Sequence, residues 1–549
     1  MMKKRVYTIL VEHFKQWGIT HVFGIPGKSI SPVMLELESF EIEYVLGRHE
    51  SGCGFEAAGY ALGKNTLGVV LGTSGPGGTN LLTAAAQAME FNLPVLFITG
   101  HPSAVDTGKA MSQESSPFGA DLVKMFEPVT RFSGRVERAE SFRLFLQHAI
   151  EQAWTGERGP VHLCIPFDVL MEEVEPFHLS MPQVSPLVCS DYGQAISLLD
   201  QATNPILFIG KGGVIAEAFD EIQLMAEHWK IPVVTTPGGK GAFPTQHPLY
   251  LGGFGLGGSK IAIDYMRSGV DLMIVIGSKL CDMQLSGFGA DMVPQQVLQF
   301  EHEITFTGKS ILTPTEIILG DLKANLRGLL KKANASLGDY ERLTAPPFHL
   351  NDSESDNTKL SAKRVMKLLR SMLPTDAILF GDAGSHSFYA VEHFDILEPG
   401  TFYLDEVFIA MGAAIGYSIG AKLALPDRDV VCITGDGCLM LQGTEISTAV
   451  NHEIATVFFV LNNGRLDMVE KGMSYNTGRS VGAVYKSPLH VTQFAESMGA
   501  EAYRCETEAE LAAALHRSIG RTEGGPIVIE VIVDPEEIPP ILTRLLSLD

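Results

Sequence analysis

Asp436 and Asn463 are the side chains whose settings most plainly carry chemistry. Val430-Val431-Cys432-Ile433-Thr434 leads into Gly435-Asp436-Gly437, and Val457-Phe458-Phe459-Val460-Leu461 leads into Asn462-Asn463. Short, apolar, partly β-branched runs of this kind are typical of buried parallel strands, and the stretch between them has room for a helical crossover. Both residues therefore fall at C-terminal strand ends, where open α/β sheets bind ligands. Carboxylate and amide oxygens suit hard Mg²⁺, which completes its shell with water and substrate phosphates. The glycines beside Asp436 let main-chain N–H groups approach such phosphates. Together these residues read as a clamp for Mg²⁺ and a diphosphate.

The elements that must position them recur along the chain. Residues 6 to 17 have helical spacing of Val6, Ile9, Leu10 and Phe14, and His21 to Gly27 reads as a strand entering a Gly-Pro turn. The strand Glu43 to Leu46 delivers Gly47-Arg48-His49-Glu50 to its end, ahead of a helix. Gly68 to Gly72 then runs into Thr73-Ser74-Gly75-Pro76-Gly77-Gly78-Thr79-Asn80, a helix over roughly 80 to 90, and the strand Pro94 to Thr99. This unit has the layout of the one around Asp436, about 361 residues further on (68 and 429), which predicts an internal duplication. Arg158 to Pro166 closes the first unit. A Pro- and Ser-rich linker at 176 to 192 leads to a middle α/β unit with strands near 206, 232, 272 and 296, and a second linker spans about 337 to 360. The expected architecture is α/β, with three domains at 1–175, 190–336 and 360–549, each a mostly parallel sheet flanked by helices.

Composition narrows the function. The 549 residues are 45% hydrophobic and 19% charged, a globular balance, and the formal charge of −23 argues against nucleic acid or an anionic membrane surface as partner. Seven cysteines without a Cys-x-x-Cys pair fit reduced thiols in a cytoplasmic protein. No signal-peptide core follows the basic start, and no apolar run is long enough to span a bilayer.

Gly-Asp-Gly, 24 intervening residues (438 to 461), then Asn-Asn resembles the diphosphate-binding motif of thiamine-diphosphate enzymes. That resemblance implies thiamine diphosphate and Mg²⁺, with the metal held by Asp436, Asn463 and the carbonyl of Arg465. Arg48 to Ala61 is similar to the family's segment around its activating glutamate. Glu50 then takes that place, hydrogen-bonding the aminopyrimidine so that the thiazolium C2–H can be lost. Phe408-Ile409-Ala410-Met411-Gly412 places Met411 under the bent cofactor, with the Ile409 carbonyl and Met411 N–H on the aminopyrimidine. Gly381-Asp382-Ala383-Gly384-Ser385-His386 resembles the diphosphate-cradling loop and brings in Asp382, Gly384, Ser385 and His386, while Gly435, Gly437 and Cys438 add further contacts. Ser74 to Asn80, Gly75 among them, shapes the pocket floor, and Gln113 is a candidate substrate contact. His49 and His101 are weaker candidates; a histidine at such a strand end is more often structural than an acid or base.

The resemblance runs from about residue 5 to about 535, and acetolactate synthase is the branch it follows most. It implies a small 2-oxo acid substrate, decarboxylation with carboligation, and a homodimer or homotetramer whose active site lies between subunits. Simple decarboxylation, hydrolysis or acyl transfer on a larger substrate is the alternative; a cofactor-binding homologue without catalysis is opposed by Glu50 and the metal pair. Three residues depart from the branch: Ser112 stands where Phe is usual, Phe167 where Lys is usual, and Gly472 where biosynthetic members carry a Trp. The middle-domain run Phe300-Glu301-His302-Glu303-Ile304 lacks the acidic strand end of flavin-carrying members, so FAD is not expected.

Overall fold

The computed structural model describes residues 2–183, 185–335 and 359–542. It contains three six-stranded sheets, parallel throughout. The first holds β1 (His21–Gly24), β2 (Glu43–Leu46), β3 (Gly68–Gly72), β4 (Val95–His101), β5 (Phe132–Arg135) and β6 (Val161–Pro166). The second holds β7 (Pro205–Ile209), β8 (Val233–Thr235), β9 (Tyr250–Gly253), β10 (Leu272–Ile276), β11 (Gln296–Glu301) and β12 (Thr315–Leu319). The third holds β13 (Ile378–Gly381), β14 (Phe402–Leu404), β15 (Val430–Gly435), β16 (Val457–Asn462), β17 (Glu501–Cys505) and β18 (Ile527–Ile532). The central strands β3, β4, β15 and β16 are buried along their whole length, as expected of apolar runs with helices on both faces.

The first sheet has the order β2-β1-β3-β4-β6-β5 and the third β14-β13-β15-β16-β18-β17. Strand for strand these are one topology, and the expected duplication is a property of the fold. The middle sheet differs: β9-β8-β7-β10-β11-β12 is the 3-2-1-4-5-6 order of the doubly wound dinucleotide fold. A short antiparallel ribbon, Lys4–Arg5 with Glu173–Val174, closes the first domain.

Several strands are absent from the sequence expectations. β14 has only three residues, and β17 is a sheet-edge strand with a single buried position, so neither shows an apolar run of strand length. β18 is an apolar run interrupted by the buried Glu530, and no motif follows it. The linker at 176 to 192 has no helix or strand among its described residues, but it is anchored at both ends. Leu179 accepts from Trp17 Nε1 at 2.8 Å, and Leu187 accepts from the Asp321 N–H at 2.8 Å. Most of the second expected linker, residues 336–358, lies outside the described residues, as do 543–549.

The two duplicated domains share a core. Helix α1 (Glu50–Lys64) follows β2, α3 (Ala413–Ala424) follows β14, and the two lie directly against each other. Glycines allow the approach: a Cβ at Gly420 would lie 1.8 Å from the Glu56 carbonyl oxygen, and one at Gly59 would lie 2.2 Å from that of Tyr417. Phe55, Phe91 and Phe380 surround Tyr417 at ring-centroid distances of 6.2, 5.6 and 6.0 Å, so one apolar cluster spans both domains.

Candidate active site

The ends of β13, β15 and β16 open onto a cleft of about 260 Å³. It is bounded by α2 (Ser385–His393), α4 (Asp436–Gln442) and α5 (Asp467–Thr477), each entered from one of those strands. Gly384, Ser385, His386, Ile409, Met411, Gly435, Asp436, Gly437, Cys438, Asn463 and Arg465 all line it. Eleven of the residues singled out in the sequence thus converge, from four separate segments of chain.

Asp436 is 3% exposed. One of its oxygens accepts from the Gly437 N–H at 2.7 Å and the other from the Gly464 N–H at 2.8 Å. Burial pushes its carboxyl up to about 6, against the pull of these main-chain donors. A nearby cation is the usual remedy for a carboxylate so desolvated. Among the described residues no group of three or more His, Cys, Asp or Glu side chains is arranged to hold a metal ion. A metal here would draw on Asp436, the amide oxygen of Asn463 and main-chain oxygen, a hard-ion donor set. Asn462 plays another part: it is 7% exposed and its amide donates to Glu530 at 2.7 Å, inside the fold.

The other side of the cleft holds orphaned donors. Ser385 Oγ and His386 Nε2 are buried and have no hydrogen-bond partner. Burial lowers the His386 pKa to about 3, so the ring is neutral and one nitrogen can donate. Buried polar groups are rarely left unmatched, and two donors facing a cleft at a helix N-terminus are what a phosphate would satisfy. The backbone is fitted to the same end: a Cβ at Gly435 would meet His386 Nδ1 at 2.8 Å. On these grounds the residues fit a metal-bound diphosphate.

Asp382 does not line this cleft. Its carboxylate accepts from Ala383 N–H at 2.9 Å, Gly412 N–H at 2.8 Å and Thr434 Oγ1 at 2.8 Å. It ties the end of β13 to the turn before α3, and burial raises it to about 6. Its place is behind the cradle, not in it, because the main chain turns the next three residues outward.

The turn presenting Ile409 and Met411 is held under strain. Ile409 has φ +58°, a rare conformation for a β-branched residue, and such outliers cluster at functional sites. Asp405 sustains it by accepting from the Val407, Phe408 and Ile409 N–H groups. Asp405 also pairs with Lys211 of the middle domain at 3.0 Å and accepts from Gln87 of the first domain at 2.9 Å, while Gln87 accepts from the Ala410 N–H. Asp405 and Gln87 escape sequence reading, since an Asp in a loop and a Gln within a helix have no distinguishing pattern.

Glu50, Gly75 and Gln113 lie apart from this cleft within the chain, in a second cluster on the first domain. Glu50 is the first residue of α1, half-buried, and accepts from Asn80 Nδ2 at 2.9 Å. Gln113 has φ +59°, a second strained residue; its side chain accepts from Ser74 Oγ at 3.2 Å. Gly75, at φ +64°, donates its N–H to Ser115 Oγ at 2.8 Å. Both histidines have partners within the chain. His49 is exposed and caps α1 through the Ser51 N–H at 3.1 Å. His101 is fully buried and 3.3 Å from Glu114. Burial acts to raise Glu114, and hydrogen bonds from Ser116 together with His101 outweigh it and hold it low.

Two half-sites on one duplicated α/β fold, one anion-cradling and one carrying a carboxylate, define a cofactor-binding α/β enzyme scaffold. Family models identify it: the N-terminal TPP binding domain of thiamine pyrophosphate enzymes matches residues 4–122, the central domain 193–329, and the C-terminal TPP binding domain 382–531. The chain belongs to the thiamine pyrophosphate enzyme family. Similar proteins include the acetolactate synthase large subunit of Corynebacterium glutamicum, 30% identical over 95% of this chain and 86% of that one. A probable acetolactate synthase large subunit of Methanocaldococcus jannaschii is 29% identical over 97% of this chain and 92% of that one. Among solved structures, the thiamine diphosphate-dependent 4-hydroxybenzoylformate decarboxylase of Rhodococcus jostii RHA1 superposes with a TM-score of 0.85 at 23% identity, covering 97% of this chain and 99% of that chain. That likeness is one of fold.

Proposed function

We propose that the chain is a thiamine-diphosphate- and Mg²⁺-dependent enzyme that decarboxylates a 2-oxo acid and joins the remaining fragment to a second carbonyl compound, as acetolactate synthases do. The observation that carries this reading is the cleft itself, lined by Asp436, Asn463, the strained Ile409, Met411, and Ser385 and His386, whose Oγ and Nε2 have no partner among the described residues. Asp436, Asn463 and the Arg465 carbonyl would hold the metal; Ser385 and His386 would donate to the diphosphate. When bound, the cofactor supplies an acidic thiazolium carbon and an electron sink for the electrons freed as CO₂ leaves. Glu50, oriented by Asn80, would hold the proton shared with the aminopyrimidine N1′. Gln113 would face the substrate.

Glu50 does not line its own chain's cleft, so in this reading it serves the cleft of a second copy. The assembly is then a homodimer or a pair of dimers with sites between subunits. A second reading concerns substrate size. A Cβ at Gly472 would meet nothing within 4 Å, so the position that a Trp fills in biosynthetic relatives is open space here. That opening favours a 2-oxo acid or acceptor larger than pyruvate.

The test is an assay of CO₂ release and carbon–carbon-bond products with pyruvate, longer aliphatic and aryl 2-oxo acids, in the presence of thiamine diphosphate and Mg²⁺. Turnover with at least one of them is expected, and Gly472→Trp should shift preference toward the smallest. Absence of CO₂ from every acid, with bound cofactor exchanging its C2 proton no faster than in free solution, would sink the proposal.

A further inference from the structure

Glu445 is 0% exposed and sits in the 3₁₀ turn Gly443–Glu445 that continues α4, nine positions beyond Asp436. Its carboxylate reaches into the first domain. It accepts from the Arg48 N–H at 3.1 Å and the His49 N–H at 2.8 Å, the two peptide groups immediately before Glu50. Neighbouring residues grip the same turn: His452 Nε2 accepts from the Leu46 N–H at 3.0 Å, and Arg48 Nε donates to Ser447 Oγ at 3.1 Å. The turn that presents Glu50 is thus held, residue after residue, by the third domain.

The first domain is shaped to admit this carboxylate. A Cβ at Gly52 would lie 2.3 Å from Glu445 Oε1, so only glycine leaves room there. Glu56, one turn beyond on α1, is also 0% exposed, and both of its oxygens lack any other partner. Burial and the adjacent Glu445 keep the Glu56 carboxyl protonated well above the ordinary range, with Arg48 opposing. Burial also raises the Glu445 carboxyl, opposed by Thr448 and the Arg48 and His49 N–H groups, while Glu56 is raised further and keeps its proton, so the two acids can share a dry pocket.

The opposite half of the fold has a matching device. Gln87, on the helix after β3, holds the Ala410 N–H and Asp405 in the turn that presents Ile409. Each domain therefore grips the other's strand-to-helix turn.

We propose that Glu445 is the positioning residue for Glu50, setting the height and direction of that carboxylate by holding the peptide groups of Arg48 and His49. This deepens the proposed function and rests on its assignment of Glu50. Gly52 and Glu56 belong to the same device, one by making room and the other by supplying the proton that lets the carboxyls coexist.

The experiment uses the full-length chain loaded with thiamine diphosphate and Mg²⁺, as wild type, Glu445→Ala, Glu445→Gln and Gly52→Ala. Amide hydrogen exchange over residues 46–52 reads the grip itself. C2–H/D exchange of the bound cofactor reads its consequence, and cofactor affinity reads the diphosphate end. Expected are lost protection confined to 46–52 and at least tenfold slower C2 exchange, with affinity within about threefold of wild type, since the positional tolerance of a catalytic group is narrow. Should Glu445→Ala not fold, Glu445→Gln, with one acceptor oxygen in place of two, must show the same effects in weaker form. Unchanged protection at 46–52, or unchanged C2 exchange once the grip is lost, overturns the proposal. A wild type without accelerated C2 exchange sinks the proposed function instead, and the amide exchange still decides whether Glu445 holds the turn.

Discussion

The first and third domains are one topology used twice, and their contrast is instructive. The turn after the second strand of each sheet enters a long helix, α1 or α3, and these helices face each other. In the first domain that turn presents Glu50; in the third it presents Ile409 and Met411. The turn after the third strand diverges as well: Thr73-Ser74-Gly75 in one, Gly435-Asp436-Gly437 in the other. The scaffold sets where a ligand can sit, and a few turn residues set which part of the ligand each copy handles. In the proposed reading one copy would hold charge and the other would move a proton.

The sharpest way to break the comparison is to remove one carboxylate from each copy. Glu50→Gln is expected to lower kcat by about 10³-fold or more, near the upper part of what acid–base catalysis contributes, while cofactor stays bound. Asp436→Ala is expected to lose cofactor and metal together, seen by calorimetric titration with thiamine diphosphate and Mg²⁺. If both variants fail in the same step, the division of labour is wrong.

The next effect is on stability at the turn of the third domain. Asp405→Ala leaves Lys211, with an 11% exposed side chain, without its ion partner and frees three peptide N–H groups. A loss of about 3–5 kcal/mol is expected from denaturant midpoints, because an uncompensated buried charge is costly. The helix contact between the copies comes after it. Gly420→Ala forces a methyl group onto the Glu56 carbonyl and should cost about 1–3 kcal/mol or more, measured the same way.

The smallest effect sharpens the difference between the two gripping residues, Glu445 being acidic and Gln87 neutral. Glu56 in the folded chain keeps its proton well above its ordinary value of 4.5. The folded state then binds a proton that the unfolded state releases, so this group's contribution is fully present below pH 4.5 and is lost as pH rises through the folded value. Glu445 lies beside it and raises it further, Arg48 opposes with positive charge, and the nearby Cys53 thiol stays neutral because burial raises it well above its ordinary value. Glu56→Gln should match wild type in unfolding midpoint at pH 4 and exceed it at pH 8. Gln87→Glu should introduce a pH dependence at the other turn that wild type lacks there.

Much of this was legible before any coordinates. The buried strands β3, β4, β15 and β16 announce themselves as apolar runs, since burial on both faces removes the need for polar residues. The turns that follow them carry Gly, Asp and Asn, whose types follow from backbone geometry and ligand chemistry. Asp382 shows the limit: it stands in the right loop, but only the path of the chain reveals that its oxygens face Gly412 and Thr434. β14 leaves little trace because it is only three residues long, and β17 because a single one of its five residues is buried.

Sequence alone determined the three α/β units, the duplication, and eleven residues that meet in one cleft, because local hydrophobic pattern and turn chemistry act over a few residues. Tertiary structure alone decided that Glu50 and Asp436 lie in separate half-sites of one chain, that Ile409 is held in a rare conformation, and that Glu445, Glu56, Gln87 and Asp405 grip the turns across domains. Those residues are hundreds of positions apart, and their hydrogen bonds exist only once two glycine-lined helices have closed against each other.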